Sequence, residues 1–260
     1  MAMRAAWKGS ISLGIVQVPI KIYTTTDDKS ISFNQLHRDC ETAIKQSKNC
    51  PTCNMTDLGM GDIVKGFTLD GNKENCVVFT EDDLEQLPVP SIKEIDLVST
   101  GEIPDPITID TNYFVVPEES GKRAFSVLVA AMTSLKKKGA LNGLIAMRNR
   151  ERPCSIWLRE DTVILSTLKF KDEVRHVPVE LMKTSKDEVD LALQILSLKN
   201  DPMPEEDHYR NAVIEIARKK REGEDWKIPV TKKDISPPTD LMDALRESLK
   251  KAGKKNENNL

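Results

Sequence analysis

The clearest chemistry in the sequence lies in two short spacings. His37-Arg38-Asp39-Cys40 is followed, nine residues on, by Cys50-Pro51-Thr52-Cys53, a His-x2-Cys…Cys-x2-Cys set. Thiolate sulfur and imidazole nitrogen are donors that zinc prefers, and a two-residue gap lets one tight turn present two of them to a tetrahedral centre. With all four positions filled by protein, His37, Cys40, Cys50 and Cys53 would make a structural Zn2+ site that clamps a loop lacking a core of its own. A redox Cys-x-x-Cys normally opens a helix after a strand. Here the polar run Lys45-Gln46-Ser47-Lys48-Asn49 precedes it instead. Cys76 and Cys154 stand in apolar, strand-like runs and read as packing residues.

A second pattern is electrostatic. The 260 residues carry a net charge of −3, but unevenly. Between Cys76 and Ser120 eleven acids face one base, Lys93; between Gly121 and Arg175 twelve bases face five acids. Such asymmetry predicts an acidic face and a basic face, the second suited to a polyanion.

The motifs of common enzymes are missing. The sequence contains no phosphate-binding Gly-x4-Gly-Lys-Ser/Thr loop, no Gly-x-Ser-x-Gly elbow and no His-Glu-x2-His. Of three histidines (His37, His176, His208) one is committed to the metal reading. Pro104-Asp105 resembles the opening of a nuclease motif, yet no Glu-x-Lys follows before Arg150, and Asp105 and Asp110 read better as flanks of a turn. The balance is against an enzyme.

The elements that must position these groups are mostly strands. Ser10 to Tyr23 reads as one extended segment whose apolar parity flips at Gly14-Ile15-Val16, which predicts a bulge there. Further strands are predicted at Cys76–Phe79, Ile92–Leu97, Tyr113–Val116, Leu141–Met147, Ser155–Arg159 and Thr162–Phe170. Many short strands with few helices between them point to a barrel or sandwich. Helices are predicted after Thr80, over Lys122–Lys138 with Phe125, Leu128, Val129, Met132 and Leu135 on one face, and from the Ser185 capping box to Leu198. Two more follow near Glu206–Glu222 and Asp240–Ala252. The fold class is therefore mainly β with peripheral helices, α+β, with a core over 1–200 and a helical region over 201–260. An odd cysteine count, no signal-like N-terminus and no apolar run of membrane length predict a soluble protein of the cytoplasm.

The opening run Trp7-Lys8-Gly9-Ser10-Ile11-Ser12-Leu13-Gly14-Ile15-Val16-Gln17-Val18-Pro19-Ile20-Lys21-Ile22-Tyr23 closely resembles the start of prokaryotic Ku proteins. Later matches keep the family order: Phe33-Asn34-Gln35-Leu36-His37, Asp62-Ile63-Val64-Lys65-Gly66-Phe67, Glu102-Ile103-Pro104-Asp105-Pro106-Ile107, Asn112-Tyr113-Phe114-Val115-Val116-Pro117, Asp172-Glu173-Val174-Arg175 and Tyr209-Arg210-Asn211-Ala212-Val213. The resemblance implies a β-barrel with an extended bridge, two copies of which form a ring that threads onto a broken duplex. It further implies sequence-independent binding of double-stranded DNA ends, end protection and recruitment of an ATP-dependent DNA ligase for non-homologous end joining. Association with the nucleoid and ligase docking through the helix near Glu206–Glu222 are implied in the same way. Zinc is not implied, because many members lack some of these cysteines.

Lysine and arginine contacts to phosphate give affinity without sequence information. The basic stretch is then the inner surface of the ring, with Lys137, Lys138, Arg148, Arg150, Lys171 and Arg175 as the candidate DNA contacts. Two other readings stay open: a zinc-bearing transcription or RNA adaptor, and a nuclease built on Asp105 and Asp110.

Overall fold

A computed structural model describes residues 3–72, 75–87, 93–135, 139–147, 150–199, 202–224 and 242–249. The chain divides into two compact units, Met1–Lys29 with Phe33–His176, and Ser30–Ser32 with Val177–Leu260.

The first unit begins with a hairpin. Strands β1 (Trp7–Leu13) and β2 (Val16–Thr24) pair antiparallel from Trp7 opposite Ile22 to Leu13 opposite Val16. The predicted bulge is thus a two-residue turn. Gly14 adopts φ +68°, which glycine tolerates freely, and Ile15 stands fully exposed at the tip. The parity flip has a simple cause. Partners such as Ile11 and Val18 share a face, so odd positions on one arm meet even positions on the other. Ile11, Val18, Ile20 and Ile22 are completely buried.

Five further strands complete the barrel: β5 (Glu94–Gly101), β6 (Ile109–Pro117), β7 (Ala140–Met147), β8 (Arg150–Arg159) and β9 (Thr162–Leu168). Their order, with the hairpin, is β1-β2-β6-β9-β8-β7-β5, closed by a parallel pairing of β1 with β5. Closure leaves the barrel no free edge. Its core joins Ile11, Val18, Ile95, Val115, Ile145, Cys154, Ile156 and Leu165.

Helix α2 (Lys122–Ser134) adds Leu128 and Met132 to that core, with Phe125, Val129 and Leu135 packed beside them, the face predicted from spacing. Lys136 to Lys138, the predicted end of this helix, lie outside the described residues.

Between β2 and β5 the chain makes an excursion. It carries β3 (Lys65–Thr68) paired with β4 (Cys76–Phe79), the second predicted and the first not, and the short helix α1 (Glu81–Glu85). Phe67 and Phe79 meet edge to face across the pair, with centroids 6.4 Å apart. The predicted capping box forms: the Thr80 hydroxyl accepts from the Asp83 N–H, and Asp83 accepts from the Thr80 N–H.

The second unit contains α3 (Lys186–Ser197) and α4 (His208–Glu222) and a helical stretch at 242–249. Ser185 and Glu188 form the reciprocal cap of α3, and Asp207 caps α4 by accepting from the Arg210 N–H. Neither helix holds a buried residue. Among the described residues no helix is long and apolar enough to cross a membrane.

Candidate functional site

Among the described residues, Arg150, Arg152 and Lys169 meet acids at one mouth of the barrel. In antiparallel pairs opposite residues share a face, so the inward rows can be followed from the core to the rim. Along β8 the row runs Ile156, Cys154, Arg152, Arg150; along β7 it runs Ile145, Met147; along β6 it runs Val115, Tyr113, Thr111. The rows change from apolar to polar at the rim. Asp110, Thr111, Tyr113, Met147, Arg150, Arg152 and Thr167 line a cleft of about 280 Å³ there.

Asp110 organises this mouth. The β6–β9 register shifts between Ile109 and Thr111, which leaves Asp110 as the extra residue of a bulge. A bulge re-aims the side chain it carries. The Asp110 carboxylate accepts from Arg152 on β8 and, at 2.8 Å, from the Lys169 ammonium just beyond β9. The Lys169 hydrogen bond and the charges of Arg152 and Lys169 hold Asp110 below the usual carboxylate range, against the opposing effect of burial.

A second tie lies beside it. Arg150 donates to Glu173 at 2.5 Å, while the Glu173 carboxylate also accepts from the Phe170 N–H at 2.9 Å. The Phe170 amide and then Arg150 lower the Glu173 pKa. The Asp172–Arg175 motif therefore has a structural reason: Glu173 pins the chain after β9 to the rim of β8.

The candidate contacts divide three ways. Arg150 sits at the mouth, ion-paired with Glu173. Lys171 and Arg175 are exposed on the segment after β9 and form no ion pair among the described residues. Lys137, Lys138 and Arg148 lie outside the described residues. Sequence reasoning missed Arg152 and Lys169 as partners of one acid. Their separations from Asp110, 42 and 59 residues, offered no local signal.

The two acids of the nuclease reading are both occupied. Asp105 accepts from the Ile107 N–H at 3.0 Å and caps the short 3-10 turn Pro106–Thr108. Asp110 is held by its two cations. Outside the mouth, the Trp157 indole donates to the Ser166 hydroxyl at 2.9 Å, which donates to the Asn112 side-chain oxygen at 2.6 Å. This network ties the outward side of β8, β9 and β6 together.

The four expected zinc ligands are gathered as two pairs. His37 Nδ1 lies 3.2 Å from Cys40 Sγ, and Cys50 and Cys53, both free thiols, are neighbours joined by a hydrogen bond. Hydrogen bonds from Thr42 lower the Cys40 pKa, and those from Cys53 and the Thr52 amide lower that of Cys50. Among the described residues, however, no three His, Cys, Asp or Glu side chains form a group able to hold a metal ion.

The family model described as the Ku70/Ku80 beta-barrel domain matches residues 12–191. The non-homologous end joining protein Ku of Bacillus subtilis is 32% identical, over 98% of this chain and 84% of that protein. The protein of the same name from Archaeoglobus fulgidus is 30% identical, over 95% of this chain and 98% of its own. A third, from Symbiobacterium thermophilum, is 31% identical over 96% of this chain, which spans 64% of that longer protein. The opening hairpin, the closed seven-strand barrel and these matches along nearly the full length place the chain in the Ku family.

Proposed function

We propose that two copies of this chain close a ring around the end of a broken DNA duplex and hold it for non-homologous end joining. The family match across the barrel carries this reading, and the relatives named above as end joining proteins support it. In this reading the chain performs no chemistry of its own. It protects the end and recruits an ATP-dependent DNA ligase, with α4 as the docking element.

Binding without sequence readout asks for cations that meet phosphates while ignoring base edges. Lys171 and Arg175 suit that task because their charges are exposed and without an ion pair among the described residues. Arg150 and Arg152 must first exchange Glu173 and Asp110 for phosphate oxygens, which makes them weaker contributors. Lys137, Lys138 and Arg148 belong to the same proposed inner surface.

The test uses one duplex in linear and closed circular form, in gel-shift series over a range of salt. A ring loads on the linear form alone and stays trapped when the ends are blocked afterwards. A monomer in solution that binds closed plasmid as readily as cut DNA would overturn the proposal.

A further inference from the structure

The outside of the barrel carries a row of rings across four strands. Tyr23 on β2 stands opposite Phe114 on β6, Phe114 opposite Ile164 on β9, and Ile164 opposite Trp157 on β8. Opposite residues in antiparallel pairs share a face. The chain neighbours Ile22, Val115, Leu165 and Ile156 belong to the core, so this row lies on the outward face. With strands about 4.8 Å apart, it runs about 14 Å at right angles to them. Two hollows flank Phe114 and share it, with Thr162, as a common wall. One, of about 480 Å³, is lined by Asn112, Trp157, Arg159 and Glu160. The other, of about 650 Å³, is lined by Met3, Tyr23 and Val116.

The rings are open and held. Phe114 is 36% exposed and Tyr23 and Trp157 are half-buried, and none of the three stacks on another ring among the described residues. The Trp157 indole is fixed through Ser166 and Asn112, which belong to the adjoining polar row Asn112–Ser166–Ser155–Asn142. Ser155 and Ser166 in that row are completely buried. A ring tied to a buried polar chain has little rotamer freedom left to lose when a ligand arrives. Arg159, at the β8 end, and Arg4, next to Met3 at the β2 end, are exposed and form no ion pair among the described residues. Glu160 is the one acid among the described residues that line the two hollows, so the balance of charge is positive.

Flat apolar faces spaced across a sheet, with cations at the ends, suit unpaired bases, because every base has a flat face and a phosphate beside it. A polypeptide strand finds no free edge to pair with here, since the barrel is closed. We propose that the row Tyr23–Phe114–Ile164–Trp157 is a stacking platform for two or three unpaired bases of a single-stranded DNA overhang, with Arg4 and Arg159 meeting its phosphates. The end-binding reading supplies the source of that strand; stacking itself depends on the row alone. Glu160 offsets one of the two cations, so the overhang gains affinity chiefly by stacking and adds little to the salt dependence.

The full chain is titrated with three probes: a blunt linear duplex, the same duplex with about six unpaired thymidines at each end, and the free thymidine oligonucleotide. The overhang duplex is expected to bind about tenfold more tightly than the blunt one. Phe114→Ala and Trp157→Ala should each remove most of that gain and leave blunt affinity unchanged. Trp157→Phe keeps a flat ring and should retain the gain, which decides the matter if Trp157→Ala fails to fold. The free oligonucleotide should quench indole emission in the parent and not in Trp157→Phe. Equal affinity for blunt and overhang duplexes, or a preference that survives Phe114→Ala, overturns the platform. Quenching that persists in Trp157→Phe overturns it too. So does a fall in blunt binding that matches the fall in overhang binding, the mark of a row covered by a second copy of the chain. A chain that binds the free oligonucleotide through these rings yet ignores the blunt duplex would keep the platform and overturn the end-binding reading instead.

Discussion

Neutralising Lys171 and Arg175 together, as Lys171→Gln with Arg175→Gln, separates phosphate contact from mere surface charge. Both side chains are exposed and neither is ion-paired among the described residues, so folding stability should change by no more than about 0.5 kcal/mol. Each phosphate neutralised contributes about 0.9 to the slope of log affinity against log salt. A ring of two chains loses up to four such contacts, which flattens the slope by up to about 3.6. From about 50 to about 200 mM salt the double variant should therefore lose about a hundredfold less affinity than the parent. Fluorescence anisotropy on a blunt linear duplex, titrated at several salt concentrations, reads this directly. Lys122→Gln serves as the control, because that ammonium is already paired with Glu119 at 2.8 Å. A double variant with the parental slope would refute the assignment of Lys171 and Arg175 to the phosphate-facing surface.

Three further outcomes test the structure itself. Asp110→Asn removes the acceptor shared by Arg152 and Lys169; with the Asp110 side chain 26% exposed, solvent screening limits the loss to about 1 kcal/mol by urea denaturation. Because folding depresses the Asp110 pKa, its contribution is present above the ordinary value of about 4 and is lost as pH falls through the folded value. Parent and variant should thus differ at neutral pH and converge in acid, and a difference that grows in acid would contradict the pairing. Gly143→Ala would drive a Cβ into the Asp96 carbonyl oxygen across the β5–β7 pair, so the urea midpoint should fall by the equivalent of about 1–3 kcal/mol; an unchanged midpoint refutes that close approach. Burial pushes the Cys154 thiol up to about 12, so it should resist alkylation at neutral pH until the chain unfolds. Modification of Cys154 in the native protein, seen by peptide mass mapping, would place it outside the core.

What the sequence determined by itself was local. The face of α2, the caps at Thr80 and Ser185, the strands β4, β7 and β9 and the two metal-type spacings all rest on residues within one or two turns of each other. The alternation at Ile11–Ile22 was legible too, although one strand with a bulge and two strands with a turn give the same parity change; only pairing of Ile11 with Val18 distinguishes them. Strand β3 escaped because Lys65–Thr68 is short and mostly exposed, and acquires its strand character from β4.

The tertiary structure decided where the charges act. Arg150, Arg152, Lys169 and Lys171 are alike as letters in one basic stretch, yet closure of the barrel pairs the first three with Glu173 or Asp110 and leaves Lys171 exposed. The residue that sorts them, Asp110, lies on another strand and gains its role from a one-residue slip in register. Spacing along a chain fixes which side chains share a face; closing the sheet fixes which distant charges meet, and that register is a property of all seven strands together.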